Sequence, residues 1–304
     1  MSWDSTKKQD IDQFATVLES NGLTISQSEL QADGWRLESA EVLDLLAKLR
    51  SAGTPLGEYV NNKIYMGVKT GLNEVFVISK KQRDDFIAED PASVEVIKPF
   101  LRGKDVKRWS VDFAEQYIIF AKRGFSIDRY PAIRKYLEQY RIALSSRATI
   151  NSHPWYELQQ PQEGIYQEFE QPKIIYPDIY EHQSFAIDTL GFYSGNTCYF
   201  IPIDETWLCG PLNSQLIEWF YAMITNSIRG GYLRAFSDYM KQIPIPNAPN
   251  PQCTEIEKLV QKCLDAKKCD RHADTSKLEN AIDTLVYQLY GLTEEEIKIV
   301  EEER

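Results

Sequence analysis

The run Lys98-Pro99-Phe100-Leu101-Arg102-Gly103-Lys104-Asp105-Val106-Lys107-Arg108-Trp109 packs cations and aromatic rings into a chain that is otherwise acidic. Side chains of these types neutralise phosphates, and arginine can also grip guanine with two parallel hydrogen bonds. Residues 61–150 hold 17 basic and 11 acidic side chains, so this stretch is positive by six, while the whole 304-residue chain stands at −11. Concentrated positive charge of this kind fits a polyanion, and cations interleaved with aromatics fit nucleic acid. A merely solvated basic face is the alternative. The acidic remainder does not cancel such a patch, because salt screens charges beyond about 8 Å.

Lys122 and Arg123, at the end of the next expected strand, extend the cationic set. A second cluster, Arg229-Gly230-Gly231-Tyr232-Leu233-Arg234-Ala235-Phe236, puts two arginines beside a Gly-Gly turn that lets backbone approach a ligand closely. Phe100, Trp109 and Phe236 are expected in the core. Other chemistries have less behind them. No dinucleotide fingerprint or phosphate-binding loop is present, and His153, His182 and His272 stand far apart. Cys263, Cys269 and His272 match no zinc spacing, so no metal site is expected. Pro177-Asp178 with Glu181, or Glu95 with Lys98, would need further converging carboxylates to make a two-metal nuclease site.

The elements that must carry these residues follow from periodicity. Residues 1–50 predict a helical N-terminal segment, with Ile11, Phe14, Val17 and Leu18 at helical spacing. A second apolar set there (Val42, Leu43, Leu45, Leu46, Leu49) follows Ser39 as N-cap. Ile64–Ser79 predicts a hairpin turning at Thr70-Gly71-Leu72-Asn73. Tyr117–Phe120, Lys173–Tyr176 and Thr197–Ile201 predict strands of one sheet. Tyr130–Arg147 and Asn213–Asn226 predict helices, the first with Pro131 in its opening turn. Pro244 and Pro246 should stop the segment before them, and Pro246–Pro251 should be a linker. Thr254–Lys268 and Ser276–Tyr290 predict a helical hairpin ending at Gly291. Its face of Leu278, Ile282, Leu285, Val286 and Leu289 should pack on Leu259, Val260 and Cys263. The fold class is thus mixed α/β (α+β). A recognition domain with a mixed or antiparallel sheet is expected at 51–246, after the helices of 1–50 and before a helical hairpin at 252–304.

With 43% hydrophobic and 12% aromatic residues the chain has the composition of a folded globular protein. The N-terminus lacks an apolar signal core, and five cysteines are an odd number for a disulfide framework. A cytoplasmic protein is expected.

Five motifs in order carry a resemblance: Lys69–Val77, Lys98–Asp105, Leu212-Asn213-Ser214, Arg229-Gly230-Gly231 and Ile243-Pro244-Ile245-Pro246, with a similar tail at Glu279–Leu292. They resemble the TaqI-like C-terminal specificity domain, the target-recognition part of fused bacterial type II (type IIG) restriction-modification DNA methyltransferases. The resemblance implies recognition of a duplex DNA sequence, presenting an adenine to a methyltransferase that flips it from the helix. It implies double-stranded DNA and the methyltransferase and nuclease domains as partners, in a bacterial cytoplasm. The methyltransferase Asn-Pro-Pro-Tyr motif and its glycine-bearing cofactor loop are absent. No catalytic residue and no cofactor are therefore expected in this chain; S-adenosylmethionine and magnesium belong to the catalytic domains. Whether it is a dissected domain or a separate subunit stays open. Lys69, Thr70, Asn73, Arg102, Lys104, Lys107, Arg108, Lys122, Arg123, Arg229, Tyr232 and Arg234 are the candidate DNA contacts, with Arg102 and Arg234 favoured to read guanine. A diverged nuclease or methyltransferase, or a protein-interaction scaffold, is the competing reading.

Overall fold

The computed structural model describes residues 38–148, 150–225 and 231–302. The chain divides into two compact units, residues 1–49 and 50–304. Of the first, the described part begins helix α1 (Ala40–Ala52). Ser39 caps it as the sequence predicts: its carbonyl accepts from Leu43 N at 3.1 Å and its Oγ from Val42 N at 3.3 Å. Val42, Leu45, Leu46 and Leu49 are buried. Ile11, Phe14, Val17 and Leu18 lie outside the described residues.

In the second unit, short strands follow one another: β1 (Gly53–Pro55), β2 (Tyr65–Met66), β3 (Val77–Ser79), β4 (Ile97–Leu101), β5 (Val106–Lys107), β6 (Ser110–Val111), β7 (Gln116–Ile119), β8 (Lys173–Pro177), β9 (Ile179–Tyr180), β10 (Ala186–Asp188), β11 (Tyr193–Ser194), β12 (Cys198–Ile201), β13 (Leu233–Arg234) and β14 (Pro244–Pro246). Two four-stranded sheets dominate, in the orders β10-β8-β12-β2 and β11-β4-β7-β3. Every pairing within them is antiparallel except β11 with β4. β8 is buried along its length and reads Lys-Ile-Ile-Tyr-Pro, as a strand covered on both faces must. Its Lys173 meets Asp188 at 2.6 Å with both side chains out of solvent. Phe76, Phe100, Ile118, Ile119, Phe169, Ile175 and Phe200 belong to one apolar core. The fold is mixed α/β, as expected.

Four local expectations are corrected. Val75 and Phe76 belong to a short helix, Asn73–Phe76, and β2 and β3 sit in different sheets, so Ile64–Ser79 is no hairpin. Strand β7 likewise lies in a different sheet from β8 and β12; β-propensity marks strands but not their neighbours. The helix from Pro131 breaks after Glu138 and resumes at Arg141–Ser145, leaving its apolar face (Ala132, Ile133, Leu137) on the core. Pro244 and Pro246 are themselves strand residues, paired opposite Pro55 and Gly53. A two-stranded ribbon with an open edge tolerates proline, and it joins the two ends of this region.

Helix α2 (Gln215–Ile224) is capped by Ser214, whose Oγ accepts from Ile217 N at 3.3 Å. Two helices, α3 (Asn250–Cys269) and α4 (Ser276–Leu289), form the expected hairpin. Ile282 and Val286 are buried with Ile256, Val260 and Cys263, while Leu278, Leu285 and Leu289 are only half-buried. Asp283 accepts from Gln215 N at 2.8 Å and the Tyr290 hydroxyl donates to the Pro244 carbonyl, fastening α4 to α2 and to β14. No helix among the described residues is long and apolar enough to cross a membrane.

Candidate nucleic-acid interface

The basic run folds as the end of β4, a tight turn Gly103–Asp105 and the small hairpin β5–β6. Gly103 is required by packing: a Cβ there would sit 2.5 Å from the Thr197 carbonyl oxygen, and its N–H donates to Thr197 Oγ1 at 2.9 Å. Asp105 closes the turn by accepting from the Arg102 backbone N–H at 2.8 Å and from Arg102 Nε at 3.4 Å. Trp109, at the head of the β5–β6 hairpin, takes φ +67, a region bulky residues rarely enter. Its ring is buried, with the Arg108 guanidinium 5.5 Å from its centroid.

This loop forms one wall of a cleft of about 630 Å³. Arg102, Lys104 and Lys107 line it, with Asn73 from the short helix, Asn196 and Thr197 before β12, and Asp178 to His182 opposite. Lys104 and Lys107 are exposed, and Arg102 retains 38% of its side-chain surface despite its contact with Asp105. Burial pushes the Asp178 carboxyl above its usual range, although its own backbone N–H and nearby Arg234 pull it down. His182 Nδ1 lies 2.9 Å from Glu218 Oε1. Arg234 borders the same cleft, because β13 pairs with β9 and sets Arg234 opposite Ile179.

Other candidates fall elsewhere. Thr70 is buried: its hydroxyl donates to Asn73 Oδ1 at 2.6 Å and accepts from Leu72 N at 3.1 Å, closing the turn in which Gly71 takes φ +80. Thr70 thus serves the turn and presents nothing to a ligand. Lys69 is exposed beside its backbone bridge to Gln160, away from the cleft lining. Arg108 pairs with Glu279 of α4 at 2.6 Å and donates to the Gln183 carbonyl at 3.3 Å, so it ties the hairpin to the C-terminal helices. Arg123 donates to the carbonyls of Leu158 (2.5 Å) and Gln159 (2.8 Å) and pairs with Glu157 and Glu163. Its guanidinium is spent on the fold. Lys122 lines a second cleft, with its Nζ 5.1 Å from the Tyr166 ring centroid. Tyr232 is exposed; Arg229 lies outside the described residues. Phe236, expected in the core, is 42% exposed.

Sequence reading missed Asn196, Thr197 and Ser184 as cleft residues, since nothing in their types marks them. It weighed Asp178 and Glu181 only as nuclease carboxylates. Among the described residues no three His, Cys, Asp or Glu side chains gather to hold a metal ion. Phe236 carried a usable signal: alternation with Leu233 and Ala235, both buried, puts it on the exposed side of the extended segment after β13.

Residues 98–245 match the TaqI-like C-terminal specificity domain. Type II methyltransferase M.PaeR7I of Pseudomonas aeruginosa is 28% identical over 279 residues, covering 87% of this chain and 44% of its own length. Type II methyltransferase M.XhoI of Xanthomonas vasicola is 27% identical over 282 residues, covering 88% and 47%. The chain therefore spans about half the length of the curated relatives it matches. Among solved structures, the type IIL restriction-modification enzyme MmeI, determined in complex with DNA, shares the fold with a TM-score of 0.55 at 15% identity, over 79% of this chain and 35% of that one. The stretch from the basic run into β14 thus matches the TaqI-like C-terminal specificity domain, the family its motifs resemble.

Proposed function

We propose that this chain is the DNA target-recognition module of a restriction-modification enzyme and that duplex DNA lies along the cleft walled by Arg102–Lys107. The observation that carries the reading is the convergence of Arg102, Lys104 and Lys107 with Asn73 on one cleft of an acidic protein, with Arg234 on the strand paired to Ile179 of its lining. The match of residues 98–245 to a specificity-domain family supports it, as do relatives named as type II methyltransferases. Lys104 and Lys107 would hold phosphates, as flexible point charges do. Arg102 in the cleft and Arg234 on the strand beside it, with their planar donors, would read base edges.

The methyl-transfer and cleavage chemistry would come from another part of the protein or from another chain. S-adenosylmethionine and magnesium would be bound there. The residues present do not fit either group: the Asn-Pro-Pro-Tyr motif is missing from the sequence, and the described carboxylates do not cluster. The buried thiols of Cys198 and Cys209 are pushed well up by burial and so are unready as ligands.

The test is selection of duplexes from a random pool, then a titration of the selected site and a scrambled one against salt. Affinity for both should fall steeply and linearly in log–log form as salt rises. Arg102→Ala and Arg234→Ala should cost about 1–3 kcal/mol on the selected site and little on the scrambled one. Salt-independent affinity, or no binding at low salt, would overturn the reading.

A further inference from the structure

From Tyr232 through β13 to Phe236, which precedes the short helix Ser237–Met240, burial alternates strictly, with Leu233 and Ala235 buried and Tyr232, Arg234 and Phe236 exposed. Ile179, the cross-strand partner of Arg234, is 39% exposed on the same outward side. The ribbon is held from behind: the Tyr221 hydroxyl donates to the Arg234 carbonyl at 2.6 Å, and Ala235 N donates to the Asp178 carbonyl at 2.9 Å. The Arg234 guanidinium lies 5.3 Å from the Phe236 ring centroid. Three large apolar side chains are thus kept in water around one cation, on a fastened ribbon that borders the cationic cleft through Asp178 and Ile179. Scattered apolar residues on a surface need no explanation, but a fixed face of them beside a charged cleft marks a contact surface.

What can cover that face must be apolar across its middle and anionic at its edge. A base step of duplex DNA has that character: the stacked faces are apolar and the flanking phosphates are charged. Minor-groove and architectural proteins use apolar side chains in this way, giving up base stacking for a bent duplex that meets more protein surface. Resting on the reading that the cleft holds DNA, we propose that the Tyr232–Phe236 face, with Ile179, is a wedge that opens one base step of the bound duplex. Arg234 then holds the phosphate or groove edge beside it. The module would choose sequences partly by how readily they unstack, favouring pyrimidine–purine steps at the wedge.

The experiment compares the full chain on two short duplexes of the same sequence, one intact and one with a central bulge that is already unstacked. Wild type should bind the bulged duplex roughly tenfold or more tightly than the intact one, because the unstacking cost has been removed in advance. Phe236→Ala and Tyr232→Ala should bind the two duplexes equally. If Phe236→Ala fails to fold, Ile179→Ala carries the same test from the opposite strand. Equal wild-type affinity for both duplexes overturns the wedge while the DNA reading stands. A preference that survives in all the variants also overturns it. Absence of salt-sensitive binding to either duplex overturns the DNA reading and the wedge together.

Discussion

Two of the cation-lined clefts among the described residues differ in what the fold does with the charge. In the first, of about 630 Å³, Lys104 and Lys107 stand exposed and neither side-chain ammonium makes a hydrogen bond or ion pair among the described residues. In the second, of about 430 Å³, Lys98 is bound to Glu170 at 3.0 Å and Arg129 to Glu95 at 3.5 Å. The hydrogen bond from Lys98 holds the Glu170 carboxyl below its usual range. Lys98 and Arg129 of the second cleft are neutralised within the fold, whereas the Lys104 and Lys107 ammonium groups of the first are left to a ligand. A count of basic residues therefore does not locate an anion site; the number left unneutralised does.

The largest expected effect separates structural cations from contact cations. Arg123 sits where the chain leaves β7 for the second cleft, and it satisfies two carbonyls and the nearly buried Glu157, which is 3% exposed at its side chain. Arg123→Ala should lower stability by about 3 kcal/mol, because it strands that carboxylate and the carbonyls. The adjacent Lys122→Ala should stay within about 0.5 kcal/mol of wild type. Urea unfolding of both proteins makes the comparison, and equal losses would erase the distinction between spent and available cations.

Smaller, and confined to DNA binding, is the contrast between the two clefts. Lys104→Ala/Lys107→Ala should leave the unfolding midpoint unchanged but lower the slope of log affinity against log salt by about two, one for each phosphate that no longer meets a lysine. Lys98→Ala/Arg129→Ala removes as much formal charge, yet the slope should change by well under one, because Glu170 and Glu95 already neutralise those groups. Equal slope changes in the two double variants would place the DNA across both clefts.

The sequence made the cationic wall legible, since Lys104 and Lys107 fall in a run whose charge density departs from the rest of the chain. It equally marked Ser39 and Pro131 at helix starts, where local chemistry decides. It could not show that Arg108 and Arg123 are consumed. Their partners Glu279 and Leu158 are 171 and 35 residues away, and only the fold brings them together. The same limit explains the mistaken hairpin. Thr70-Gly71 does turn the chain, but β2 pairs with β12 and β3 with β7, choices made by long-range packing that turn residues do not encode. Arg147 shows how far that dependence reaches: buried, it donates to the carbonyls of Thr70, Trp155 and Glu157, and so fixes the turn that leads to Asn73 at the cleft.

The smallest expected effect concerns the acid in the first cleft. Asp178 is half-buried, and burial raises its pKa above the ordinary carboxylate value, so the folded chain favours the protonated form more than the unfolded chain does. Stability from this group is therefore fully present below the unfolded value and is lost as pH rises through the raised folded one. Above its raised folded value Asp178 is ionised, a negative charge among residues proposed to meet phosphates. Asp178→Asn should then bind scrambled duplex a few-fold more tightly at neutral pH, since one like charge in a wet cleft repels a phosphate by about 1 kcal/mol or less. Wild type should close that gap as the pH is lowered into the range where Asp178 takes up its proton. His182 and Glu181 line the same cleft in both proteins, so the difference between the two affinities isolates Asp178. If the variant binds more weakly than wild type on the selected duplex while gaining on the scrambled one, Asp178 is accepting a hydrogen bond from a base, as a carboxylate does from the cytosine amino group. Equal affinity of the two proteins across the pH range would move the phosphate path away from the Asp178 wall and leave it along Lys104 and Lys107 alone.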